Sequence, residues 1–88
     1  MQLNRGDTVY FARILPSLGI YDVLELRVRT VDETSFIALD KRDKRAYSFN
    51  FRQYEKQFFF DRETALKIVK DAEKYKVSRT FTIDKMEE

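Results

Sequence analysis

Phe58-Phe59-Phe60-Asp61-Arg62-Glu63-Thr64-Ala65-Leu66-Lys67-Ile68-Val69-Lys70-Asp71-Ala72 is the stretch on which the fold turns. Its first three residues are a short aromatic run of strand-forming type. Asp61 follows with the chemistry of a helix N-cap, a carboxylate able to accept from the free N–H groups of a first turn. Glu63 adds negative charge where the helix dipole is positive. Ala65, Ile68, Val69 and Ala72 then recur at helical spacing, Leu66 widens the stripe, and Lys67, Lys70 and Asp71 occupy the other side. The stretch predicts a short strand driven directly into a helix, about residues 62–75, whose apolar face packs on whatever precedes it.

What precedes it reads as β. Thr8–Leu15 is a strand with apolar residues on both faces, Val9, Phe11 and Leu15 against Tyr10, Ala12 and Ile14; its Arg13 is expected at a solvent edge. Pro16 and Gly19 break it, and Leu18 and Ile20 between the strands are expected to plug one end of a barrel. Tyr21–Val31 alternates, with Leu24, Leu26, Val28 and Thr30 on one face and Glu25, Arg27 and Arg29 on the other. Ser35–Leu39 and Arg45–Phe51 follow, joined by the polar tip Asp40-Lys41-Arg42-Asp43-Lys44. Tyr47, Phe49 and Phe51 share a face, and Phe49, Phe51, Phe58 and Phe60 are expected in the core. Before the first strand, Arg5-Gly6-Asp7 reads as a turn with Gly6 free to take positive φ. It spells the adhesion tripeptide, a coincidence in a chain without a secretion signal. After the helix, Val77–Asp84 alternates again and predicts a sixth strand or a tail, with Lys85–Glu88 disordered.

A chain of 88 residues holds one domain with one modest core, here rich in large rings, eight Phe and five Tyr. The expected division is residues 1–76 as barrel plus packed helix and 77–88 as strand or tail. Absence of Cys excludes disulfides and thiolate chemistry, and absence of His removes the commonest metal ligand and general base. No Gly-rich phosphate loop is present, and the serines lack a base partner. The expectation is a protein that is not an enzyme, with no cofactor and no metal. The N-terminus lacks the apolar core of a signal peptide, and no apolar run approaches a membrane span, so a cytoplasmic protein without a membrane partner is expected.

Five short strands in meander order, the last running into a helix, resemble the SH3-like small barrels. Gly6-Asp7-Thr8-Val9-Tyr10-Phe11 and Phe58-Phe59-Phe60-Asp61-Arg62-Glu63-Thr64-Ala65-Leu66 together resemble a module of small, mostly uncharacterised proteins of Firmicutes and their phages and mobile elements. Thr64 stands where that group often has a second Glu. The likeness spans most of residues 6–75. It implies the fold, mainly β with one C-terminal helix (α+β), and a bacterial or phage origin with a binding role; it carries over no catalytic residue.

The best functional signal is charge. Net charge is only +2, far from a dedicated nucleic-acid binder. Residues 41–56 nevertheless hold six basic side chains against two acidic ones, a net +4, while residues 61–88 balance seven against seven. Lys41, Arg42, Lys44 and Arg45, with Arg27 and Arg29 brought beside them by adjacent strands, form the candidate site for an anionic partner, and Tyr47 or Tyr54 offers a stacking face beside it. An ordinary charged turn that blunts edge pairing accounts for the same residues, since Asp40 and Asp43 interrupt them. The leading expectation is a non-enzymatic binding module. Its partner is a host protein, for instance a defence component such as a CRISPR effector that it inhibits. The alternative is a small barrel that binds nucleic acid through the basic 41–56 region. The oligomeric state is left open.

Overall fold

The computed structural model describes the backbone of residues 2–87 and the side chains of residues 2–75. Five antiparallel strands form one curled, half-barrel sheet: β1 (Thr8–Leu15), β2 (Ile20–Val31), β3 (Ser35–Asp40), β4 (Ala46–Asn50) and β5 (Phe58–Phe59). Their order is β4-β3-β2-β1-β5, so β4 and β5 are the edges. One helix, α1 (Arg62–Glu87), packs on β1, β2 and β5. The fold is mainly β with one C-terminal helix, the class expected.

Strand alternation separates two cores. Leu24, Leu26 and Val28 of β2 join Val9, Phe36, Phe49 and Phe58 inside the curl, and Leu3 closes one side of it. The opposite face of β1 and β2, with Tyr10, Ala12, Ile14, Tyr21 and Val23, lies under the helix residues Ala65, Ile68 and Val69. This explains why β1 is apolar on both faces: a central strand with the barrel interior on one side and a helix on the other has no solvent face. Phe58 and Phe59 divide likewise, one into each core. Rings dominate the inner core. Phe36 meets Phe58 edge-on at 4.9 Å and stacks on Phe49 at 5.4 Å.

Asp61 caps the helix as expected. Its Oδ2 accepts from the Thr64 N–H at 3.0 Å and the Thr64 hydroxyl at 2.7 Å. Those two bonds, with help from the Glu63 backbone, hold the carboxyl below its ordinary value. Ala65 and Val69 are buried, while Ile68 and Ala72 are half-buried.

Several expectations are corrected. The helix does not stop near Tyr75, and Val77–Asp84 is neither a sixth strand nor a tail; both lie on α1, so a boundary at residue 76 falls inside one helix. No Gly or Pro follows Asp61 to end the helix. Thr, Val and Ile in a nucleated helix each cost under ~1 kcal/mol, so local alternation did not decide the segment. Of the expected disordered end, Lys85–Glu87 also belong to α1, and Glu88 lies outside the described residues. Leu18 plugs nothing: it is 69% exposed in a single 3₁₀ turn, Pro16–Leu18. Phe60 is 42% exposed, because β5 ends at Phe59 and leaves Phe60 at the rim, its ring beside Phe58 and Tyr54 rather than inside the core. Arg13 sits on a central strand, directly opposite Asp22 of β2. Its Nε and Nη2 donate to the two Asp22 carboxylate oxygens at 2.9 and 2.6 Å. The bidentate bond raises the Arg13 pKa further, against the opposing effect of burial.

Candidate functional site

Two local devices bring distant cations together. The first is the N-terminal turn. The Asn4 N–H donates to Asp7 Oδ2 at 2.8 Å, the Asp7 N–H to the Asn4 carbonyl at 3.0 Å, and Gly6 takes the expected positive φ, +94°. The turn is stitched to β2 at both sides of one residue, Gly6 N–H to the Val28 carbonyl and Val28 N–H to the Asp7 carbonyl, both at 2.8 Å. Arg27 then lies over the turn, its Nη2 4.0 Å from where a Gly6 methyl would stand. The second device is a register shift in the β2–β3 ladder between Val28 and Thr30, which makes Arg29 the extra residue. Such a bulge re-aims a side chain and bends the strand.

The polar tip between β3 and β4 is built on Asp40, 1% exposed. Its Oδ1 accepts from the Arg42 N–H at 2.8 Å, and the Arg42 guanidinium adds bonds at 3.4 and 3.3 Å. Burial pushes the Asp40 carboxyl up. The Arg42 side chain and backbone outweigh it, with the charges of Arg42 and Arg13 adding to them, and the group sits below its ordinary value. The same bond raises the Arg42 pKa. Lys44 takes a left-handed φ of 64° and donates its N–H to the Asp40 carbonyl at 2.9 Å. The tip is thus ordered by its main chain and by the Asp40 and Asp43 carboxylates, and the Lys44 side chain takes no part in that order.

An open groove of about 900 Å³ runs along this side of the sheet, with Leu39 in its lining and Arg5, Arg27, Arg29, Lys41 and Lys44 around it. Of the expected site residues, Arg27, Arg29, Lys41 and Lys44 come together. Lys41 is partly neutralised: its Nζ reaches Glu25 at 2.6 Å and the Thr8 hydroxyl at 3.1 Å. Arg42 belongs to Asp40, and Arg45 leans on Asp43 at 3.7 Å, so these two do not line the groove. Tyr54 lies elsewhere. It follows the 3₁₀ turn Phe51–Gln53, forms an isolated bridge with Phe58, and packs its ring against Phe58 and Phe60. The tyrosine is therefore tied to β5, with its ring on the barrel aromatics. Arg5 was missed. The available signal was the Gly6 turn next to it, but the partner strand of that turn is not written locally.

Among the described residues, Arg5, Arg27, Arg29 and Lys44 have no ion-pair partner. The groove offers positive charge and N–H donors, the chemistry that holds carboxylates or phosphates. Among the described residues, no cluster of three or more acidic side chains is placed to hold a metal, and no helix is long and apolar enough to cross a membrane. Comparison of the chain with known families, curated proteins and solved structures finds no match.

Proposed function

We propose that the protein is a non-enzymatic binding module whose basic groove docks an acidic surface of a protein partner. One observation carries this reading: Arg5, Arg27, Arg29 and Lys44 converge on one groove with no ion-pair partner among the described residues, while Arg13, Lys41, Arg42 and Arg45 nearby each have one. Like charges gathered on one surface repel, and an anionic partner relieves that repulsion.

The nucleic-acid alternative uses the same cations on phosphates. An acidic protein is favoured over single-stranded nucleic acid because the described residues that line the groove include no aromatic ring for bases to stack on. The modest net charge of +2 points the same way. A phage or mobile-element setting and a role as inhibitor of a host defence component such as a CRISPR effector are supported by the resemblance of the Gly6–Phe11 and Phe58–Leu66 motifs, and a cytoplasmic location is proposed with them.

The test is affinity capture from a bacterial lysate, with and without nuclease, using the wild-type chain and an Arg27→Ala, Arg29→Ala, Lys44→Ala variant. A protein that survives nuclease, is released by salt and is lost in the variant is the expected result. Loss of all captured species on nuclease treatment moves the assignment to nucleic acid. Equal capture by a variant whose circular dichroism matches wild type refutes the groove.

A further inference from the structure

Edge strands carry unpaired main-chain groups, and β4 is one edge of this sheet. Its pairing with β3 decides which groups face outward. The Asp40 N–H donates to the Arg45 carbonyl at 2.8 Å and the Phe51 N–H to the Thr34 carbonyl at 2.9 Å. Tyr47 and Phe49 lie between them in unbroken register, opposite Ala38 and Phe36. Residues 45, 47, 49 and 51 therefore bond toward β3. In an antiparallel ladder the alternate residues point their N–H and C=O the other way. These are Ala46, Ser48 and Asn50, all exposed. The Asn50 N–H is taken by Gln53 Oε1 at 2.7 Å. The outward groups of Ala46 and Ser48 meet no partner among the described residues.

Natural edges are blunted by Lys, Pro or a bulge. β4 carries none of these. Its exposed side chains are short, and Ile37, directly opposite Ser48, adds an apolar neighbour at 39% exposure. Cations bracket the strand. Arg45 at its start has a side chain 75% exposed, and Arg52 just past its end is exposed too.

We propose that the β4 edge accepts an extended, acidic segment of a protein partner as a sixth strand. Ala46 and Ser48 supply the main-chain bonds, and Arg45 and Arg52 receive carboxylates near the segment's two ends. A second copy of this chain is the poorer occupant. Antiparallel β4–β4 pairing centred on Ser48 sets Lys44 of one copy opposite Arg52 of the other, and like charges opposed across strands repel. This surface uses neither Arg27 nor Arg29 and does not rest on the groove reading.

The test is a selection from a random octapeptide display library against the full chain, in parallel with Ser48→Pro and with the double reversal Arg45→Glu, Arg52→Glu. Proline at 48 removes the outward N–H while leaving the bonds of Tyr47 and Phe49 to β3 in place, a position an edge strand tolerates, and the charge reversal leaves the main chain intact. Peptides rich in Asp or Glu at their ends should be enriched by wild type, and Ser48→Pro and the double reversal should each weaken them by about tenfold or more. The same peptides should protect the Ser48 amide from hydrogen exchange and should bind the Arg27→Ala, Arg29→Ala, Lys44→Ala chain with less than the loss seen on charge reversal. No enrichment, equal binding by Ser48→Pro and the reversal, or Ser48-dependent dimerisation of the wild-type chain in its place each overturns the proposal.

Discussion

Phe58→Ala, measured beside Phe59→Ala and Phe60→Ala, tests the division into two cores. Phe58 is 0% exposed, and its ring lies 4.9 Å from Phe36, 5.6 Å from Phe49 and 5.7 Å from Tyr54. Transfer of a buried Phe from water accounts for ~1.5–3 kcal/mol, and aromatic pairing for a further ~0.5–1.5 kcal/mol. With the cavity left behind, Phe58→Ala should cost about 3–5 kcal/mol. A chain of 88 residues is stable by about 4–13 kcal/mol, so this one change removes a large share. At ~4–8 °C per kcal/mol, Tm should fall by roughly 12–40 °C. Phe59, 3% exposed against the helix, should come close to that. Phe60, 42% exposed and in ring contact with Tyr54, should cost about 1 kcal/mol or less. Thermal melts by circular dichroism and urea titration read all three, and Phe58→Leu gives a milder variant should the alanine fail to fold. A Phe60→Ala loss as large as that of Phe58→Ala would refute the placement of Phe60 at the exposed rim beyond the end of β5.

Val69→Asp should unfold the chain or lower its Tm by tens of degrees, because it buries an unpaired charge at a position 4% exposed; a wild-type melting curve would sink the packing of α1. Gly6→Ala should cost about 1 kcal/mol or more, since φ of +94° disfavours any Cβ, and should weaken groove binding by shifting Arg5; unchanged stability would show that the turn relaxes freely. Asp40 and Asp61 both sit below the ordinary 3.8 when folded, so their contribution to stability is full above that value and is lost as pH falls through the folded-state values. Urea midpoints should therefore drop below about pH 4, and Asp61→Asn, which keeps an acceptor at the cap, should flatten that drop; an identical slope would remove Asp61 from the account.

Local chemistry wrote the elements into the chain. Alternation in 24–30 marks one face of β2, Pro16 and Gly19 end β1, and Asp61 with Ala65, Ile68, Val69 and Ala72 announces a capped, half-buried helix. These signals act within a few residues, so they survive without knowledge of the rest. The apolar run in β1 was legible but not its cause, because the helix that covers its second face is some fifty residues away. The end of the helix was misread for the opposite reason: the alternation at 77–84 is local, and the helix already running through it outweighed that preference.

The groove belongs to the tertiary structure. Charge density in 41–56 pointed to the right region, yet the register of β2 on β3 and the stitching of Gly6 and Asp7 to Val28 decided which cations share a surface. Those bonds join residues about twenty apart, and they recruited Arg5. Burial of Asp40 beneath Arg42 took that arginine out of the groove, and packing on Phe58 and Phe60 took Tyr54 to another part of the barrel. Charge type is a property of each residue, but convergence is a property of pairing, and strand pairing forms only when the chain closes on itself.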